Sequence, residues 1–473
     1  MRRTGKKIAF SLAFTAILLL SVSGSAFAQG VTTLPGTLAD GATFVIQVPA
    51  NWNGTLFLYS HGYVTPGSAN PAEDVGDPVT GAFMLASGYA LAGSSYASTG
   101  WAVHEALIDQ IAVLDIFDNA FGHPKRTIAW GHSLGGMITA GLIQRNPHRF
   151  DAALPMCGVL SGGVATWNTA LDAEVVFGTL TAPNSGLQLV NITNPTANFE
   201  LAEGLLAAAQ ETPQGRARIA LGAALSDTPG WFTSLSPEPV ATDYASQEEN
   251  QFLWDAEVDF PFVFAFRAEL EARAGGNVSW TTGVDFREQL NLSLDRDEVR
   301  ALYKAAGLNL DADLDALNHA ARITADKHAV EYLENNIIYN GEIHFPVLTL
   351  HTKGDGLVVD ENESAYRDLV DEVGNGEFLR RDFIDRAGHC AFTPAETIAA
   401  VGKLIDRLDT GKWHGDVSEL NAAASALGPD FNIFATSAGV FETPPAFIHL
   451  HPGPYLRPFD AFNRECFFGF GCY

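Results

Sequence analysis

Residues 126–144 read RTIAWGHSLGGMITAGLIQ, and this stretch decides the fold. Its first five residues are typical of a short buried strand, and its last eight predict a helix that stops before Pro147. Between them, residues 131–135 have the pattern G-x-S-x-G, in which a strand turns sharply into a helix with a serine at the turn. The chain has 45 glycines, so the bare pattern could arise by chance, but the strand–turn–helix context favours a functional turn. We therefore predict that Ser133 is a nucleophile beside the free backbone N–H groups of a helix N-terminus.

Apolar segments on both sides extend this pattern into a sheet. Strands are predicted at residues 42–48, 55–59, 89–93, 150–156, 345–350 and 378–384. Helices are predicted at residues 103–121, 137–144 and 394–408. Strands that alternate with helices in this way indicate an α/β fold, a mostly parallel sheet flanked by helices.

The alternation is interrupted by residues 161–342, which are mainly helical in pattern and too long for a loop. We predict a large helical cap inserted before the acid-bearing strand, forming a lid over Ser133. A few of its aromatic residues should face the cleft, among Trp231, Phe232, Phe252, Trp254, Phe260, Phe262 and Trp280. The predicted division is a signal peptide (1–28), a first core part (29–160), the cap (161–342), a second core part (343–410) and a C-terminal extension (411–473). From residue 428 onward we expect irregular structure that wraps the main domain.

With these motifs the sequence resembles the α/β-hydrolase superfamily, and within it a secreted serine esterase. The resemblance covers roughly residues 43–408. The resemblance implies the chain order nucleophile, acid, histidine. It assigns the acid to Asp355, just after the strand at 345–350, and the general base to His389, after the strand at 378–384. Asp360 is the alternative acid, although it lies five residues deeper, where a helix cap is expected.

The same resemblance implies an oxyanion hole made by the backbone N–H groups of Tyr63 and Leu134. Tyr63 lies in the segment His61-Gly62-Tyr63, which follows the predicted strand at 55–59. Leu134 directly follows the nucleophile. The alternative is that His61-Gly62 forms only a turn at the end of a strand.

The chain has four cysteines. Gly388-His389-Cys390 also resembles tannase and feruloyl-esterase-like enzymes, in which a disulfide joins cysteines beside the serine and the histidine. Here His132 precedes Ser133, so that pattern is broken; a Cys157–Cys390 disulfide and buried free thiols both remain open. Cys466 and Cys472, with five residues between them, are predicted to form a local disulfide in an oxidising compartment.

The N-terminus has the pattern of a secretory signal peptide, with basic residues, an apolar segment over 8–22 and a small-residue site that predicts cleavage near Ala28. We therefore expect a secreted protein, extracellular or periplasmic, without a membrane partner. A formal net charge of −27 argues against nucleic acid and anionic membranes as partners. No nucleotide or metal motif stands in a suitable context, so we predict no metal and no cofactor.

These residues together favour hydrolysis of carboxylic esters, small-molecule or polymeric, through an acyl-enzyme. A serine peptidase or amidase on the same fold is the first alternative, because it would use the same triad. A non-catalytic binding protein on a hydrolase scaffold is the second. The presence of Ser133, Asp355 and His389 argues against that second alternative.

Overall fold

The structure, a computed structural model, describes residues 30–436 and 439–459. Its strands are β1 (Val31–Thr37), β2 (Thr43–Pro49), β3 (Thr55–Ser60), β4 (Ala90–Ser94), β5 (Arg126–His132), β6 (Ala152–Met156), β7 (Val347–Gly354), β8 (Leu379–Ala387), β9 (Ile433–Thr436), β10 (Gly439–Glu442) and β11 (Phe447–Ile448). All of them except β9 and β10 form one sheet, in the order β1-β2-β4-β3-β5-β6-β7-β8-β11.

The α-helices of the first half are α1 (Pro78–Ala86), α2 (Val103–Phe121), α3 (Leu134–Arg145), α4 (Gly163–Val176), α5 (Pro195–Gln210), α6 (Pro213–Ser226) and α7 (Tyr244–Trp254). Those of the second half are α8 (Arg267–Ala274), α9 (Phe286–Leu292), α10 (Arg296–Ala306), α11 (Leu310–His319), α12 (Lys327–Asn336), α13 (Asn362–Glu372), α14 (Pro394–Thr410) and α15 (Val417–Ala426). A 3-10 turn spans Pro147–Arg149, and π-helical turns span Phe177–Thr181, Asp255–Asp259 and Phe262–Phe266.

Six neighbouring strands of this sheet are parallel, namely β4, β3, β5, β6, β7 and β8. Antiparallel pairing occurs only towards its two edges. Because parallel strands need crossovers, helices cover both of its faces. One face packs against α2, α3, α12 and α13, and the other packs against α1, α14 and α15. Every residue of β3 is consequently buried. The chain therefore has the α/β-hydrolase fold that the sequence predicts.

The long interruption of the sheet lies between β6 and β7. The regular elements within residues 161–342, all of which the structure describes, are α4 to α12 and the π-helical turns. Helices α4, α6, α9, α10 and α11 enclose an apolar core of their own, which includes Leu171, Leu221 and Tyr303. Val330 and Leu333 of α12 instead pack into the core beside the sheet. Helix α12 thus packs against the sheet, in addition to the connection through the chain. Helices α4 to α12 are called the cap helices below.

Some elements differ from the sequence predictions. Strand β1 and helix α1 were not predicted, because their residues show no clear periodicity. The segment after residue 428 is less irregular than expected: β9 pairs with β10, and Phe447 and Ile448 pair with β8. Residues 1–28 and the cysteines Cys466 and Cys472 lie outside the described residues. Among the described helices, none is both long and apolar enough to cross a membrane.

Candidate active site

Ser133 occupies the sharp turn between β5 and α3. Its backbone has φ 59° and ψ −125°, a left-handed conformation that is rare for a residue with a side chain. Gly135 is required here, because a Cβ atom at that position would collide with the backbone oxygen of Ser60 in the neighbouring strand. A Cβ at Gly131 would meet the same oxygen. The glycines on either side thus let the turn pack tightly against β3 and hold the serine at the end of the sheet.

The structure brings Ser133, His389 and Asp355 into one hydrogen-bonded chain. Ser133 Oγ donates to His389 Nε2 over 2.7 Å. His389 Nδ1 donates to Asp355 Oδ2 over 2.8 Å. The side chain of Asp355 is fully buried, whereas that of His389 is 19% exposed. Three residues from three different loops at the carboxyl end of the sheet therefore have the geometry of a nucleophile, a base and an orienting acid.

The alternative acid, Asp360, makes no such contact with His389. It lies in the turn before α13, where its backbone oxygen accepts the N–H of Glu363. Burial raises the pKa of Asp360 to about 8. Asp355, by contrast, accepts a second hydrogen bond from the N–H of Val358 over 3.0 Å. This bond orients the carboxylate that faces the histidine, so the geometry favours Asp355.

The predicted oxyanion loop lies directly beside the nucleophile. A Cβ at Gly62 would be 3.3 Å from the Cβ of Ser133. The loop is braced by His61, whose ring stacks on Tyr96 at 3.9 Å and whose Nδ1 donates to the Gly62 carbonyl. Among the described residues, the backbone N–H groups of Tyr63 and Leu134 donate to no protein acceptor. Both groups are thus free to bind a substrate oxygen, and the bracing residue Tyr96 was not identified from the sequence.

A disulfide joins Cys157, at the end of β6, to Cys390, directly after the histidine of the triad. The two Cα atoms are 5.4 Å apart, within the usual range for a disulfide. The Cys390 sulfur lies 3.4 Å from His389 Nε2. Of the two possibilities that the sequence left open for these cysteines, the structure has the paired form.

His132, which occupies the position before the nucleophile, is part of the supporting structure. Burial, followed by the charge of nearby His389, lowers the pKa of His132 to about 4. The ring is therefore neutral at pH 7, and its Nδ1 accepts the hydroxyl of Tyr59 over 3.1 Å. This arrangement keeps a second cation away from the triad.

A cavity of about 140 Å³ opens at Ser133 and extends under the cap helices. Six aromatic side chains line it: Trp101, Trp167, Phe177, Phe260, Phe262 and Tyr455. Of the cap aromatics named from the sequence, Phe260 and Phe262 thus face the cavity. Trp231 and Trp254 pack elsewhere, against each other and beside the glycines that flank Asp355. The cavity wall is formed by residues of the cap helices as well as by the sheet loops.

Two carboxyl groups, Asp255 and Asp259, also line this cavity. Neither side chain has a hydrogen bond or an ion pair within the described part of the chain. Burial, followed by the charge of Glu248, raises the pKa of Asp255 to about 8. Burial also raises the pKa of Asp259 well above its usual value, with the charges of Asp255 and Asp355 adding to the effect. These shifts favour the neutral carboxylic acids, which can donate hydrogen bonds, over the carboxylates.

The described residues contain no group of three or more histidine, cysteine, aspartate or glutamate side chains suited to a metal ion. The acidic run at residues 311–315 lies on helix α11. There Asp311 and Asp315 form ion pairs with Arg287. These acids therefore serve the surface of the cap.

The chain is similar to several known proteins. Residues 93–186, which include Ser133, match the prolyl oligopeptidase family of peptidases. The chain is 28% identical to o-phthalyl amidase from Xanthobacter agilis, over 83% of this chain and 90% of the relative. Its structure aligns with an esterase from Aspergillus oryzae at 13% identity and a TM-score of 0.41, over 90% and 88% of the two chains. Feruloyl esterase B from Aspergillus oryzae aligns at 13% identity and a TM-score of 0.39, over 81% and 82%. All four names denote hydrolases, of peptide, amide or ester bonds.

Proposed function

We propose that this protein is a serine hydrolase that cleaves carboxylic esters through an acyl-enzyme on Ser133. The observation that carries the proposal is the hydrogen-bonded chain Ser133–His389–Asp355 at the mouth of an aromatic-lined cavity. Fold alone would not suffice, because the same fold supports many functions. An intact triad beside unpaired backbone donors also argues against the non-catalytic alternative.

The proposed reaction uses each group in a defined role. His389 Nε2 accepts the proton of Ser133 as the hydroxyl attacks the carbonyl carbon. The N–H groups of Tyr63 and Leu134 stabilise the oxyanion of the tetrahedral intermediate. The imidazolium of His389, stabilised by Asp355, then gives its proton to the leaving group. Water, activated by the same histidine, attacks the acyl-enzyme and releases the acid and free Ser133.

We further propose that the acyl group is aromatic. The cavity next to the nucleophile is bounded by tryptophan and phenylalanine side chains, and flat apolar groups pack well against such walls. The carboxyl groups of Asp255 and Asp259, in the protonated form that burial favours, would donate hydrogen bonds to polar substituents on the ring. The name of the relative from Xanthobacter agilis, an o-phthalyl amidase, also points to an aromatic acyl group.

Amide hydrolysis is a second candidate, which the same relative favours. The chemistry needs no additional residue, because His389 can protonate an amine as well as an alcohol. An amine leaves less readily, so acylation should limit the rate for an amide, while the common acyl-enzyme should break down at the same rate from either substrate.

The deciding experiment uses a phosphonate probe and matched substrates. The probe should label the wild-type protein at Ser133 and a Ser425→Ala control, whose exchanged serine lies exposed on α15, but not Ser133→Ala. An aryl ester and an anilide of the same benzoic acid should both depend on Ser133. A pre-steady-state burst is expected with the ester and not with the anilide. Esterase activity that survives in folded Ser133→Ala would overturn the proposal.

We also propose that the protein acts after export and on a small-molecule or polymeric ester, without nucleic acid or membrane partners. The N-terminal pattern and the acidic composition support this proposal. N-terminal sequencing of protein recovered outside the cytoplasm tests it. A mature chain that still begins at residue 1 would contradict it.

A further inference from the structure

A second histidine–carboxylate pair lies directly behind the acid of the triad. His351 is on β7, four residues before Asp355, and Glu363 is on α13; all three side chains are fully buried. His351 Nδ1 is 3.0 Å from Glu363 Oε1. His351 Nε2 is 2.7 Å from the carbonyl oxygen of Val358 and 3.8 Å from Asp355 Oδ2. Neither His351 nor Glu363 was assigned a role from the sequence.

The partners of His351 determine its protonation. The Val358 carbonyl can only accept, so Nε2 carries a proton. Glu363 accepts the hydroxyl of Thr349 at its other oxygen over 2.5 Å. An Nδ1–H that donates to Glu363 Oε1 would be the second proton of the ring. Burial alone would lower the pKa of His351, but the hydrogen bond and charge of Glu363, with a further contribution from Asp355, raise it. These interactions favour the imidazolium form of the ring.

The other ionisable groups around this pair do not replace that cation. Asp360 and Tyr366, from the same turn and helix as Glu363, both interact with its charge. On β8, Arg381 directs its guanidinium to the backbone carbonyl of Glu363 over 3.3 Å. Asp259, on the cavity side, is a carboxyl group and supplies no cation near Asp355. Of the cations in this set, His351 is therefore the one that approaches the triad acid.

We propose that His351 is a positioning residue for the proposed hydrolysis, which holds the turn that orients Asp355 and places a positive charge beside its carboxylate. One peptide unit carries the mechanical link: His351 donates to the carbonyl of Val358, and the N–H of Val358 donates to Asp355 Oδ1. The electrostatic link is the 3.8 Å approach of the imidazolium to Asp355 Oδ2.

The proposal predicts the direction in which the pH dependence of kcat/KM changes. His389 acts as a base only when its Nε2 carries no proton and Asp355 is a carboxylate, so one added proton on this pair stops the reaction. Removal of a nearby cation raises the proton affinity of that pair, whichever member takes the proton. In His351→Gln, the acidic limb of the kcat/KM profile should therefore move upward by about one pH unit. Glu363→Gln should move it in the same direction, because His351 then loses the anion that keeps it charged.

The test measures pH profiles of kcat/KM on an aryl ester for wild type, His351→Gln and Glu363→Gln. His414→Gln is the matched control, because His414 pairs with Asp406 at 2.7 Å in a similar contact on the surface. It should leave the midpoint unchanged. Activity that falls equally at every pH in the two buried-pair variants, with no shift of the midpoint, would overturn the proposal and indicate a packing role.

A second measurement does not depend on turnover or on folding of the variants. In wild-type protein labelled with ¹⁵N-histidine, both ring nitrogens of His351 should have the shifts of protonated nitrogens at pH 7. A ring with one unprotonated nitrogen would refute the assignment. The inference rests on the proposed function, so the experiments must distinguish a failure of the proposed function from a failure of the role of His351. Turnover independent of Ser133 would refute the proposed function, whereas a neutral His351 in a protein with Ser133-dependent turnover would refute the inference alone.

Discussion

Removal of the Cys157–Cys390 disulfide should destabilise the protein strongly. The bridge joins residues 233 positions apart, and the loop it closes contains the whole cap. In the unfolded chain, closing a loop of that length removes conformational entropy worth about 5 kcal/mol at 25 °C on the chain-entropy relation. This value is at the upper end of what disulfides contribute, so the double variant Cys157→Ala/Cys390→Ala should lose several kcal/mol of unfolding free energy.

The structure also predicts an effect on activity that stability alone would not produce. Cys390 follows His389 directly and has a positive φ of 52°, so the bridge helps to hold the loop that presents the imidazole. We expect the double variant to show a lower kcat at temperatures where it remains folded. Precise alignment of base and nucleophile is worth large factors in rate.

The assay is urea unfolding followed by tryptophan fluorescence, together with ester hydrolysis below the transition. Wild-type protein with the disulfide intact is the reference, and thiol titration of the unfolded chain establishes the redox state. A loss of less than about 1 kcal/mol in the double variant would refute the loop-entropy reasoning. Two free thiols at positions 157 and 390 in native protein would refute the pairing itself.

Three further outcomes follow from single positions. Asp355→Asn should lower kcat/KM by about 10⁴-fold and Asp360→Asn far less, as measured on an aryl ester; the opposite ranking would show that the acid is misassigned. Gly135→Ala should prevent folding or abolish activity, because its Cβ would collide with a backbone oxygen of β3. Gly204 lies at an exposed position of α5, where a Cβ would have no atom within 4 Å. Gly204→Ala should therefore stabilise the protein by up to about 1 kcal/mol in thermal unfolding. Burial raises the pKa of Glu298 to about 8, above its unfolded value, so the free energy of unfolding should fall as pH rises from about 4.5 to 8, by up to about 1.4 kcal/mol per pH unit. In Glu298→Gln this dependence on pH should be weaker, as measured by urea titrations at several pH values. An unchanged slope would contradict the prediction.

Local sequence was sufficient wherever an element is specified by its own residues. The helix predicted at residues 103–121 has those bounds in the structure, because its apolar residues recur at helical spacing. The turn at Ser133 was predictable for a similar reason: close packing requires glycines at fixed distances from the serine. The acid and the histidine were assigned by their order along the chain, and the structure places both within hydrogen-bond distance of their partners.

The tertiary structure decided what depends on residues far apart in the sequence. Cys157 and Cys390 form a pair only because β6 and the loop after β8 end at the same edge of the sheet. The raised pKa of His351 depends on Glu363, which a different element supplies. The choice of cap aromatics that face Ser133 rests on how the helices fold back over the sheet. Such pairings are set by global packing and by the electrostatic environment that burial creates, and neither leaves a local pattern in the chain.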